Sequence, residues 1–304
     1  MTDLVLGTRG SKLALAQSEA CAGILREAGM SVEVRVIKTT SDHRPDEPLS
    51  VIDERDVFTR QLDEALVSGE IDFAVHSLKD IPTEVPDGMK IAAVPPRHDP
   101  SDALVSDEGY TVQTLPDGAM VATSSLRRRA QLLHHRSDLR VVDIRGNVGT
   151  RIRKVREGET DALVLAKAGL DRLDLDASHT IIPHDVLLPA VGQGALGITM
   201  MESHPRSEEL RNLLNDRDAE SSVLAERSMM RALEGGCRVP VGASSAIESG
   251  VVKLKGLVAS PDGALVYRSE GEGKNPEEVG KRVADDLIGQ GASIVLAEIQ
   301  EART

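Results

Sequence analysis

A chain of 304 residues is long enough for two or three domains, each with its own core, and its formal charge is −13, with 49 Asp and Glu against 36 Lys and Arg. That balance, with two Tyr, two Phe and no Trp, argues against a nucleic-acid binder, which needs a basic surface with stacking aromatics. No apolar run could span a bilayer and "MTDLVLGTRGSKLALAQ" lacks the shape of a signal peptide, so a cytoplasmic protein without a membrane partner is expected, its acidic surface pointing to a salt-loving source.

Short β-branched runs alternate with amphipathic stretches along the chain, the mark of α/β layers. Strand 4–7 leads into a helix over 11–28, whose apolar positions place Cys21 in a core. Strands follow over 32–38, 71–76, 91–94, 103–105, 120–123, 141–144, 162–166 and 195–200, with helices over 58–68, 125–135, 148–157, 208–214 and 219–233. The prolines of "PPRHDP" and the segment "DVLLPAVGQG" read as crossings between two α/β halves. Beyond Leu233 the pattern changes to two strands around a Pro-Asp-Gly turn, a helix over 276–290 and a strand over 293–299, which reads as a separate small α+β domain.

Three segments share one design: "VLGTRGSKLA", "VATSSLRRRAQ" and "VDIRGNVGTRIRK" run from a strand through small polar residues into a helix with arginine in its first turn. Free N–H groups and the positive helix end make such a junction an anion site, and arginine forks onto carboxylate or phosphate. Ser124 or Ser125 could equally be a plain N-cap. From Val121 to Arg156 ten Arg and Lys stand against Asp138 and Asp143, an excess that suits an anionic ligand, although part of it is an ordinary solvated helix face.

Lys79 and Asp80 close "FAVHSLKD" as either a surface ion pair or an acid at a strand end, able to stabilise positive charge on a substrate. "GQGALG" fits the dinucleotide glycine pattern but lacks the strand before it and the helix after it, so it reads as a tight crossing and not as a nucleotide site. The histidines and cysteines show no metal-ligand spacing, and no metal is expected. Cys237, in "LEGGCRVPVG", has no local base; beside Arg238 it is either a thiolate reached past two glycines or a structural cysteine.

In order along the chain, "TRGSKLALAQ", "DFAVHSLKDIPTEVP", "DPSDALVS", "ATSSLRRRAQL", "IRGNVGTRIRKV", "DALVLAKAGLDRL", "LPAVGQGALGI", "AERSMMRALEGGCRVPVG" and "GLVASPDG" resemble the hydroxymethylbilane synthase, or porphobilinogen deaminase, family over nearly the whole length. The resemblance implies two periplasmic-binding-protein-like α/β domains, 1–97 with 195–215 and 98–194, plus a small C-terminal α+β domain, 216–304. It implies a dipyrromethane cofactor held by Cys237 through a thioether. Four porphobilinogen molecules are added to that primer with loss of ammonia, and water releases the linear tetrapyrrole. It implies Asp80 as the catalytic acid, which stabilises the azafulvenium cation. Lys79, Ser125, Arg127, Arg128, Arg145 and Arg151 are placed on the cofactor's carboxylates, and Arg9, Ser11, Phe58 and Gln193 on the substrate.

"SVIDERDVFTRQL" departs from the family's Gly-Lys-rich lid: Phe58 is kept, but the cationic, glycine-hinged character around 50–57 is largely missing. A non-catalytic two-domain anion-binding protein is the competing reading. It explains the arginines but not the "EGGC" segment. With no long apolar face in the pattern, a monomer is expected.

Overall fold

The computed structural model describes residues 4–38, 59–233 and 239–301. The first part of the chain runs β1 (Leu4–Thr8), α1 (Lys12–Glu27), β2 (Val32–Val36), α2 (Arg60–Val67), β3 (Phe73–Ser77), a 3-10 turn (Leu78–Asp80) and β4 (Met89–Ala93). There follow β5 (Asp102–Val105), β6 (Met120–Ala122), α3 (Leu126–His135), β7 (Arg140–Val142), α4 (Val148–Arg156), β8 (Ala162–Ala166), α5 (Lys167–Arg172) and β9 (His179–Ile182). The chain then continues through β10 (Leu196–Met201), α6 (Ser207–Leu214), α7 (Arg217–Ala232), β11 (Val241–Glu248), β12 (Val251–Ala259), β13 (Val266–Gly273), α8 (Pro276–Gly289) and α9 (Ala292–Glu301).

These elements form two compact units, residues 1–98 with 194–220 and residues 99–193 with 221–304. The first contains a five-stranded sheet in the order β2-β1-β3-β10-β4, with β10 antiparallel to both neighbours. The second repeats that plan as β7-β6-β8-β5-β9, with β5 as the antiparallel member, and adds the three-stranded antiparallel sheet β11-β12-β13. The fold is therefore mixed α/β, with two like-built sheets and a small C-terminal α+β part.

In each large sheet the antiparallel strand is the one that follows a crossing: β5 comes after the first and β10 after the second. Gly192 and Gly194 turn the second crossing with φ of 73° and 85°, values that side chains with a Cβ rarely adopt, which is why "GQGALG" needs its first two glycines.

The first core forms where α1 lays Cys21, Ala22 and Leu25 against Leu4, Leu6, Phe73 and Ile198, so Cys21 is a core residue at 2% exposure. In the second unit α7, α8 and α9 cover the small sheet with Met229, Val283, Leu287, Val295 and Leu296. The strand expected over 293–299 is part of α9 instead. Ala292, Val295, Leu296 and Ile299 are the buried positions, a helical spacing that delivers one apolar stripe to that core, whereas a strand would bury alternate residues. Strands β9 and β11, absent from the sequence reading, are set by pairing with β5 and β12.

Candidate functional site

In the first unit β1 and β3 are parallel neighbours, so their C-terminal ends lie side by side. β1 runs into α1 through Arg9 and Ser11, and the Ser11 side chain caps the helix by accepting from the Ala14 N–H at 3.2 Å. β3 runs into the turn that carries Lys79 and Asp80. One pocket is lined by Arg9, Ser11, Gln17, Val75, His76, Ser77 and Asp80 among others, which brings three of the expected site residues together; Lys79, on the same turn, is outside that lining.

Gln17, Ser77 and His76 join this pocket without having been singled out from sequence. Gln17 Nε2 donates to Ser77 Oγ at 2.8 Å across sixty positions of chain, a pairing that only the fold reveals. His76 is buried with Nε2 3.0 Å from Thr199 Oγ1. Burial first, and then the neighbouring Arg9 charge, push its pKa down to about 4, so the imidazole is neutral near pH 7.

The second unit repeats the arrangement. β6 and β7 are parallel neighbours and each feeds a capped helix: Ser125 caps α3 by accepting from the Arg128 N–H, and Asn147 caps α4 by accepting from the Thr150 N–H. Ser124 Oγ donates to the Ile144 carbonyl at 2.8 Å and locks the two junctions together. Two helix N-termini thus open at one edge of the sheet, the place where anions bind.

The arginines expected here fall into two groups. Arg145 is exposed and Arg151 half-buried, its Nε donating to the Gly146 carbonyl at 2.8 Å. Burial lowers the Arg151 pKa, and the nearby Arg128 and Arg145 charges lower it further, so this cluster carries an excess of positive charge that an anion would relieve.

Arg127 and Arg128 are buried at 5% and 8% exposure and turn inward to Asp102, which is itself fully buried. Arg127 Nη1 donates to Asp102 Oδ2 at 2.8 Å and to the Leu188 carbonyl at 2.5 Å. Arg128 Nε and Nη2 both donate to Asp102 Oδ1, at 3.0 and 2.6 Å, and Nη1 donates to the Val164 carbonyl at 3.0 Å. Gln193 is buried as well and donates to Asp102 Oδ1 at 2.9 Å and to the Pro100 carbonyl at 2.7 Å. Burial alone would raise the Asp102 pKa, but the two guanidiniums outweigh it and hold the carboxyl well below the usual carboxylate range. Arg127, Arg128 and Gln193, all expected at the ligand, thus meet in one buried network, because a carboxylate from β5 stands within reach of all three.

Cys237, Phe58 and the acidic stretch 50–57 lie outside the described residues. Among the described residues no group of three or more His, Cys, Asp or Glu is placed to hold a metal ion, and no helix is long and apolar enough to cross a membrane.

Two family models match the chain: "Porphobilinogen deaminase, dipyromethane cofactor binding domain" over residues 4–209 and "Porphobilinogen deaminase, C-terminal domain" over residues 221–289. Similar curated proteins include the porphobilinogen deaminases of Rubrobacter xylanophilus, 64% identical over 98% of this chain and 97% of that one, and of Pelotomaculum thermopropionicum, 44% identical with the same coverage. Similar solved structures include a periplasmic sulfonate-binding protein from Methylobacillus flagellatus, 13% identical, covering 77% of this chain and 68% of that one with a TM-score of 0.40. A periplasmic substrate-binding protein from Coxiella burnetii is 15% identical, with 74% and 96% coverage and a TM-score of 0.42.

Proposed function

The chain belongs to the porphobilinogen deaminase family, transferases that build hydroxymethylbilane from porphobilinogen on a dipyrromethane cofactor, and from that membership we propose how its residues divide the work. The observation that carries the reading is the pocket shared by Asp80, Arg9 and Ser11. Arg9 and the capped N-terminus of α1 hold the acetate and propionate of an incoming porphobilinogen, and Phe58 is assigned to the same substrate. Asp80 faces the pyrrole N–H. As the C–N bond of the aminomethyl group breaks, its electron pair leaves with ammonia and positive charge spreads over the ring. A fixed carboxylate stabilises that charge most at the transition state.

The donor set of the second unit fits a dipyrromethane, whose two pyrroles each carry an acetate and a propionate. Arg128, Arg145 and Arg151 form a cluster short of negative charge, next to two helix N-termini. They, with Ser125, Arg127 and Lys79, hold those carboxylates. Cys237 is the covalent tether. When bound, the cofactor supplies the free pyrrole carbon onto which four substrate units are added before water releases the product.

We assign three domains to this scheme, 1–97 with 195–215, 98–194 and 216–304. The acidic balance and a cysteine content too small for a disulfide framework support a cytoplasmic, monomeric enzyme with no nucleic-acid partner. The same balance supports a salt-adapted protein.

Asp80→Ala tests the division of labour. The variant is expected to keep the cofactor mass and lose turnover by about 1,000-fold or more, the scale of removing a transition-state charge stabiliser. Near-normal product formation would refute the assignment of Asp80.

A further inference from the structure

"DPSDALVS" is a conspicuous segment to which the scheme above gives no task. We propose that its Asp102 is a positioning residue for the reaction: it aims Arg128, and with it the arginine cluster, at the carboxylates of the bound primer. The proposal rests on the reading that the second unit's arginines hold those carboxylates.

Asp102 cannot serve as an acid or base. It is fully buried and accepts four hydrogen bonds, from Arg127, Gln193 and two nitrogens of Arg128. Its full burial leaves neither oxygen open to a substrate.

Stability is a poor explanation for it as well. Burying an ion pair strips both charges of water, and apolar side chains of the same volume commonly serve a fold as well or better. What such a pair secures is direction. Three bonds, two to Asp102 and one to the Val164 carbonyl, fix the plane of the Arg128 guanidinium, which on an open surface would sample many rotamers. The ordering cost is met during folding, so binding an anion does not have to meet it.

The stoichiometry points the same way. One carboxylate between two guanidiniums leaves a positive charge over, so Asp102 orients the arginines without neutralising them both. Arg128 lies in the first turn of α3 and Arg151 in the first turn of α4, the two helices whose junctions Ser124 Oγ locks together, and the Arg128 charge acts on Arg151.

Asp102→Glu keeps the charge and displaces the carboxylate that both arginines bond by one methylene. It is expected to fold with a melting temperature lowered by the extra methylene in a fully buried site but still above the assay temperature. Turnover per cofactor-bearing molecule should fall by about 100-fold, the scale of an ångström-sized misplacement, and the intact mass should show a lower fraction carrying the adduct. A purely structural role would not lower kcat far below the melting temperature. A folded Asp102→Glu protein with parental adduct fraction and kcat overturns the proposal.

Should that variant not fold, Gln193→Met removes one bond to Asp102 and no charge, and is expected to lower kcat in the same direction; an unchanged kcat there is equally fatal. Arg145→Ala and Arg151→Ala separate the two levels of argument. If both keep full adduct and turnover, the arginine reading itself fails. If they lose function while Asp102→Glu does not, only the role of Asp102 is wrong.

Discussion

His76 allows the environment of the pocket to be measured without turnover. Its imidazole is buried on β3 against Thr199, and its pKa is pushed down to about 4 by burial and then by Arg9. In the unfolded chain the same side chain titrates near pH 6.5. Between these values the unfolded state binds a proton that the folded state refuses, so stability falls as pH falls. The contribution is fully present above about pH 6.5 and is lost progressively as pH drops towards 4. The whole loss is about 3 kcal/mol, of which about 2 kcal/mol has gone by pH 5.

His76→Gln can keep a hydrogen bond to Thr199 but cannot titrate. Urea midpoints for the parent and variant between pH 7.5 and 5 are expected to diverge, the parent losing about 2 kcal/mol more than the variant. An NMR titration of the imidazole should show a midpoint near 4. Equal pH slopes in the two proteins, or a midpoint near 6.5, would refute the reasoning.

Gly263 sits at φ 74° in the turn between β12 and β13, and a Cβ there would meet the Ala130 carbonyl oxygen at 2.4 Å, on the helix that carries Arg127 and Arg128. Gly263→Val is expected to cost on the order of 2–5 kcal/mol from the left-handed backbone and the clash together, read as a lower melting temperature; an unshifted melting temperature would contradict that packing. The acidic surface should make molar KCl stabilising through screening of self-repulsion, and a melting temperature that stays flat or falls in KCl would count against salt adaptation.

Much of this molecule is legible in its sequence because the informative features are local. The periodicity of α1 places Cys21 inside, the glycines of "GQGALG" mark a crossing, and Ser125 in front of three arginines marks a helix N-terminus. What escapes is set by partners distant in the chain. The stretch 293–299 is rich in β-branched and apolar residues, yet a helix buries its stripe against the small sheet. Arg127 and Arg128 look like open cations until β5 brings Asp102 between them, 25 and 26 positions away. Gln17 reads as a helix position and becomes a pocket residue only through Ser77. Composition shows the surplus of arginine, but only packing shows which arginines are held by the protein itself.

The central claim is that a primer held on Cys237 meets the arginines of the second unit while Asp80 carries the chemistry. The intact mass of the chain, purified from cells that supply porphobilinogen, tests it most directly. The expected result is an added mass matching a dipyrromethane, retained in Asp80→Ala and absent from Cys237→Ser; an unmodified parent chain, or an adduct that survives in Cys237→Ser, would contradict it.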